Sequence, residues 1–218
     1  MRKVVFHFSF MVGVSAVLVA CSRAVELPPP TRHGAGTLRW DPPAPVAPRL
    51  FENPGALAQR IVFSRVVREH LGIRPDVDSF DAQAPIPYKI GAQQRQTITL
   101  HQFVKCGDTR VEVLRAQILV TISERGLLEI NSNFVPEISL PSGAVIDEKR
   151  AAEAARVGGG GGTTPPMKLV VRPHPTDRSA GSKARLVYVV LGAGRCDPFI
   201  HVDAFDGTVV GEEPNCIH

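Results

Sequence analysis

The chain has 218 residues, with 25 Lys and Arg against 21 Asp and Glu, a formal net charge of +4 and 44% hydrophobic residues. That is ample chain for a buried core and too apolar for a disordered protein. Half of the basic excess belongs to Arg2 and Lys3, whose removal takes the charge from +4 to +2. The remaining basic residues are interspersed with acidic ones, which excludes nucleic acid as a partner.

In chain order, Arg2 and Lys3 precede an apolar run, Val4 to Ala20, that ends in Leu18-Val19-Ala20-Cys21. This is the shape of a lipoprotein signal peptide over residues 1–20: a basic start, an apolar stretch at the short edge of membrane-spanning length, a small residue before the cut and a cysteine thiol for the lipid. Cys21 is therefore the expected lipidation site, and acyl chains there would hold the protein on a membrane without spanning it. Ser22 stands where an aspartate would retain such a protein at the inner membrane, so the expected location is the bacterial cell envelope, with the outer membrane favoured.

Residues 21–52 are rich in proline, including Pro28-Pro29-Pro30, Pro42-Pro43, Pro45 and Pro48, and read as an extended tether. Asn53 as a cap, Pro54 in the first turn and Leu57, Ile61, Val62, Val66 and Leu71 near helical spacing predict one helix over about 55–71, closed by Gly72. His70 at its end reads as a surface or capping residue. After a proline-containing loop, period-two alternation predicts antiparallel strands over 96–104, 109–123 and 127–134.

A second helix is predicted from Glu148 to Arg156, stopped by Gly158. Gly158 to Gly162 is a loop: it lacks the lysine and hydroxyl residue of a phosphate-binding loop and follows a helix instead of preceding one. Strands return over 167–172, 184–191, 199–204 and 208–211, the last two joined as a hairpin at Asp206-Gly207.

With Cys21 assigned to lipid, Cys106, Cys196 and Cys216 remain in an oxidising compartment. Folding the last hairpin about Asp206-Gly207 sets Cys196 opposite Cys216, within disulfide reach of an antiparallel ladder. The expected bridge is Cys196 to Cys216, with Cys106 a free thiol or a partner for another chain, and a bridge involving Cys106 as the alternative. No cysteine or histidine grouping has metal-ligand spacing, and neither His-Glu-x-x-His nor Gly-x-Ser-x-Gly occurs. Asp147-Glu148 and Glu212-Glu213 read as a helix start and a strand flank. No catalytic residue, metal or cofactor is expected.

Two stretches carry a family resemblance. Thr97-Ile98-Thr99-Leu100-His101-Gln102-Phe103, the strand Val111 to Val120, and Gly126 to Asn133 resemble, in that order, the propeptide of thermolysin-like and fungalysin-like metalloproteases, the FTP domain. The second half, above all Val202-Asp203-Ala204-x-x-Gly207-x-Val209, is similar to a PepSY domain. Together they span about residues 53 to 213. The resemblance implies an α+β chain of two small helix-on-antiparallel-sheet units, FTP-like over 53–142 and PepSY-like over 143–218. It also implies a non-catalytic binding protein that chaperones or inhibits a partner. With no zinc motif after the second unit, that partner would be met in trans: a secreted metalloprotease or another envelope protein. The alternative is a structural cell-envelope lipoprotein with no protease partner.

Overall fold

Strands that alternate apolar and polar residues must pair, and here they pair into one sheet. The computed structural model describes residues 25–46, 53–106, 109–140, 143–157, 167–174, 183–191 and 198–214. The strands are β1 (Arg32–Gly34), β2 (Thr37–Ala44), β3 (Asp78–Ala82), β4 (Ile86–Ile90), β5 (Gln93–Cys106), β6 (Thr109–Ser123), β7 (Gly126–Ser132), β8 (Lys168–Arg172), β9 (Arg185–Leu191), β10 (Phe199–Asp203) and β11 (Val209–Glu213). The helices are α1 (Pro54–Val62), α2 (Arg65–Leu71) and α3 (Glu148–Val157).

The spine is the long antiparallel pair β5 and β6. One edge of β6 pairs with β5 throughout; its other edge takes β7 along Ile118 to Ser123 and β8, in parallel, at Glu112 and Val113. From β7 the sheet continues through β2 to β1, and from β8 through β9 and β10 to β11. The expectation of two small α+β units is thereby corrected. The described residues are 52% strand and 17% helix, in a single mixed sheet of eleven strands. The physical reason is the length of β6: β7 occupies only part of its edge, and β8 takes backbone groups that would otherwise stand unpaired at a seam between units.

The apolar side chains nevertheless collect in two clusters along the same face of β5. The first holds Leu38, Trp40, Leu57, Ile61, Ile98, Leu100, Ile118, Val120, Leu127 and Ile130 beneath α1. The second holds Val104, Val111, Val113, Val171, Leu186, Val190, Ile200 and Val202 with Ala151 and Ala155 of α3. Between them β6 bulges: Val113 to Ala116 lie opposite Gln102 alone, and Arg115 adopts φ 59°. An odd number of extra residues reverses which residues face inward, so the buried set passes from Val111 and Val113 to Ala116, Ile118, Val120 and Ile122.

Two side-chain amides replace the ladder bonds lost there. Gln102 Nε2 donates to the Val135 carbonyl at 2.9 Å, and Val135 N–H donates to Gln102 Oε1 at 3.1 Å. Asn133 Nδ2 donates to the Arg115 carbonyl at 2.6 Å, and Gln117 N–H donates to Asn133 Oδ1 at 2.7 Å. Phe134 belongs to the first cluster and Val135 to the second, so these amides fasten the chain where it crosses from one to the other.

Two local expectations are also corrected. The expected tether contributes β1 and β2 to the sheet, with Leu38 and Trp40 buried and the Trp40 indole donating to the Pro28 carbonyl at 2.9 Å. Pro42 and Pro43 are accommodated because β2 leaves the β7 register between Arg39 and Ala44, where no ladder donor is needed. The single helix breaks at Phe63 and Ser64. Ser64 is extended and serves as the N-cap of α2, while Phe63 stacks edge-on against Phe80 at 5.6 Å. Asn53, Pro54 and Gly72 act as expected: Asn53 Oδ1 accepts from Ala56 N–H, and Gly72 closes α2 at φ 72°.

Candidate binding face

The face of the sheet away from the helices is built by the alternate residues of the same strands. On β5 and β6 it presents Thr97, Thr99, His101, Phe103, Gln117, Leu119 and Thr121, all partly exposed. Beside them stand Glu129 and Asn131 of β7 and Thr37 and Arg39 of β2. A polar row on one face and an apolar row on the other is what an antiparallel sheet with one solvated side requires.

Apart from the partly exposed Phe103 and Leu119, a more exposed apolar group breaks this pattern. β3 and β4 run end to end along β5, but the register slips by one residue between Ala82, opposite Leu100, and Ile86, opposite Thr97. Phe80 therefore faces the core while Ile86, Tyr88 and Ile90 are turned to the polar face. Ile86 is 63% exposed and Ile90 53%. The outer edge of β4 is blunted by Pro87, which has no N–H to offer, and by Lys89, so the apolar row is displayed without inviting strand addition.

At the same end of the face lies a concavity of about 310 Å³ lined by Arg39, Asp41, Tyr88, Arg95, Arg125 and Glu129, with Pro43 and Leu128 as apolar wall. Arg39 comes from β2, Arg95 from β5 opposite Ser123, and Arg125 from the turn between β6 and β7. Gly126, directly after that turn, sits at φ 130° and passes so close to Ala44 that any side chain there would collide with the Ala44 carbonyl. Arg95 Nη2 donates to Gln93 Oε1 at 3.1 Å, while its Nε is enclosed without an acceptor. Glu129 Oε1 already accepts from Asn131 Nδ2.

Two further polar clusters flank the bulge. Glu112 joins His101 Nδ1, at 3.2 Å, and Lys168; His101 Nε2 is buried without a partner. His201 of β10 is 1% exposed, with its Nε2 3.9 Å from Glu213, which also pairs with Arg115 at 2.8 Å. Burial first, and the nearby Arg172 second, push the His201 imidazole below the usual histidine range, against the weaker pull of Glu213. It is held neutral.

Of the residues singled out from sequence, Cys21, Cys196 and Cys216 lie outside the described residues, as does the glycine run 158–162. Cys106, the last residue of β5, is partly buried against the second cluster and carries no disulfide. Asp206-Gly207 lies in the connection between β10 and β11, where Asp206 Oδ1 accepts from Thr208 N–H at 2.8 Å and Gly207 takes φ 80°. The ladder it sets pairs Phe199 with Glu213, Ile200 with Glu212 and His201 with Gly211. Asp147 caps α3 through Arg150 N–H at 2.7 Å, and Glu213 is more than a strand flank, since it holds Arg115. His70 faces the Gly34 carbonyl at 3.3 Å.

Sequence reasoning missed the arginine-lined concavity and the glutamate between His101 and Lys168. Neither has a local signal, because each gathers residues from strands distant in the chain. Ile86-Pro-Tyr88-Lys-Ile90 did carry a period-two signal, hidden by its prolines. Comparison with protein-family models and with curated proteins finds no match for this chain.

Proposed function

We propose that this chain is a non-catalytic, membrane-anchored lipoprotein that resembles a stand-alone protease propeptide and binds a secreted metalloprotease or another envelope protein in trans, chaperoning or inhibiting it. The observation that carries this reading is the apolar row Ile86, Tyr88 and Ile90, turned by a register slip onto a polar sheet face, with Ile86 63% and Ile90 53% exposed. Displaying two isoleucines forgoes roughly 1.5–3 kcal/mol of burial each, a cost that folding alone does not explain. An apolar row beside charged groups suits a protein partner, the isoleucines supplying contact area and the arginines orientation.

The test is in-cell crosslinking with the lipidated protein as bait, run in parallel with Ile86→Ser/Ile90→Ser. Capture of a secreted zinc protease by the wild type and its loss from the variant supports the reading, as does stoichiometric slowing of a thermolysin-like protease by purified protein. Capture of cell-wall or outer-membrane components alone, equally by both proteins, overturns it in favour of a structural envelope lipoprotein.

A further inference from the structure

The concavity at the end of the polar face has more hydrogen-bond donors than acceptors. Three guanidiniums line it, from Arg39, Arg95 and Arg125, against two carboxylates, Asp41 and Glu129. Glu129 is already engaged by Asn131. Arg95 has one satisfied nitrogen and one that is enclosed without an acceptor. Among the described residues, the guanidinium of neither Arg39 nor Arg125 is in an ion pair or a hydrogen bond; Arg39 accepts from Thr31 Oγ1 through its carbonyl and Arg125 donates to Ser123 Oγ through its backbone N–H. Tyr88 adds a hydroxyl. A guanidinium nitrogen enclosed without an acceptor is costly; Arg95 Nε is in that position, and the exposed Arg39 and Arg125 bring two more guanidiniums to the rim of the same hollow.

We propose that this hollow is a carboxylate-binding subsite, taking a carboxylate borne on a small apolar body. Guanidinium forks match the two oxygens of a carboxylate in bidentate fashion. The excess of one positive charge suits a monoanion better than a doubly charged phosphate. Pro43, Leu128 and the Tyr88 ring form the apolar wall, and about 310 Å³ is the lower end of the size range for small-ligand sites. Tyr88 also belongs to the apolar row of β4, so the anion subsite and the apolar row are one continuous surface. The inference deepens the binding-face reading, and rests on it in taking the ligand to be part of what that face holds.

The experiment is titration calorimetry of the purified protein with N-acetyl-phenylalanine, with its uncharged amide, and with inorganic phosphate at matched ionic strength. The expected result is saturable binding of the acid alone. Arg39→Gln and Arg125→Gln, whose side chains are exposed and unpaired, should keep their circular dichroism and each weaken the acid about tenfold, or ~1.4 kcal/mol. Asp41→Asn, which removes a competing anion, should tighten it. Equal binding of acid and amide, preference for phosphate, or titrations unchanged in the arginine variants would each overturn the proposal. Failure here with partner capture intact would leave the binding-face reading standing. Binding of the acid with no protein partner captured would do the reverse.

Discussion

Gln102→Leu tests the join between the two clusters. Gln102 is fully buried, and its side chain supplies both a donor and an acceptor to Val135, at 2.9 and 3.1 Å, opposite the bulge of β6. It is also one of the groups that offset the burial of the Asp78 carboxyl. A leucine fills a similar volume but leaves the Val135 N–H and C=O without partners. Each orphaned buried group costs about 1–3 kcal/mol. Set against the roughly 1 kcal/mol that a more apolar side chain recovers, the expected loss is about 1–5 kcal/mol, a large part of the ~5–15 kcal/mol that holds a domain folded.

Urea unfolding followed by circular dichroism and by the fluorescence of Trp40, the sole tryptophan, reads this directly. Trp40 lies in the first cluster, so loosening the join should also separate the two transitions, which coincide when the sheet unfolds as one unit. Thr99→Val, on the partly exposed polar face, is the control and should stay within about 0.5 kcal/mol of wild type. If Gln102→Leu unfolds at the wild-type midpoint with unchanged slope, the amide is not what secures the crossing between clusters, and the account of the bulge fails.

Two further outcomes are expected. His201 is held neutral by burial, with Arg172 of β8 and Arg115 of β6 opposing its protonation and Glu213 of β11 favouring it. Its folded pKa therefore lies below the unfolded value of about 6.5; its contribution is complete above that pH and is lost as the pH falls towards the folded value, because the unfolded chain takes the proton first. Urea midpoints at about pH 7.5 and about pH 5.5 should differ less in His201→Gln than in wild type, and parallel losses would show that His201 is not the responsible group. Cys196 and Cys216 lie outside the described residues, and the bridge expected between them from the sequence is open to a chemical test. Non-reducing peptide mapping of protein from an oxidising compartment is expected to recover that pair joined and Cys106 unlinked, and a Cys106-linked peptide would exclude the assignment.

Much of the local structure was legible in sequence because it is written in neighbouring residues. Period-two alternation marked β6 at its observed limits and β5 and β7 to within a few residues; β8, β9 and β10 were also placed to within a residue, while caps and breakers placed the start of α1, the end of α2 and both ends of α3. The phase change in β6, from Val111 and Val113 to Ala116, Ile118 and Val120, was present in the pattern as well, although its meaning was not. Leu38 and Trp40 alternate too, but the surrounding prolines outweighed two apolar residues in favour of a tether.

Tertiary structure alone decided which strands meet. The docking of β8 on the edge of β6 left free by β7, which makes one sheet of two expected units, depends on backbone groups more than fifty residues apart and leaves no mark on either segment. The same holds for the candidate site. A one-residue slip against β5 chose the face on which Ile86 and Ile90 stand, and strand order gathered Arg39, Arg95 and Arg125 around one hollow. Alternation along a strand shows that it has two faces; only pairing with its neighbours determines which of them is turned to the core and what stands beside the other.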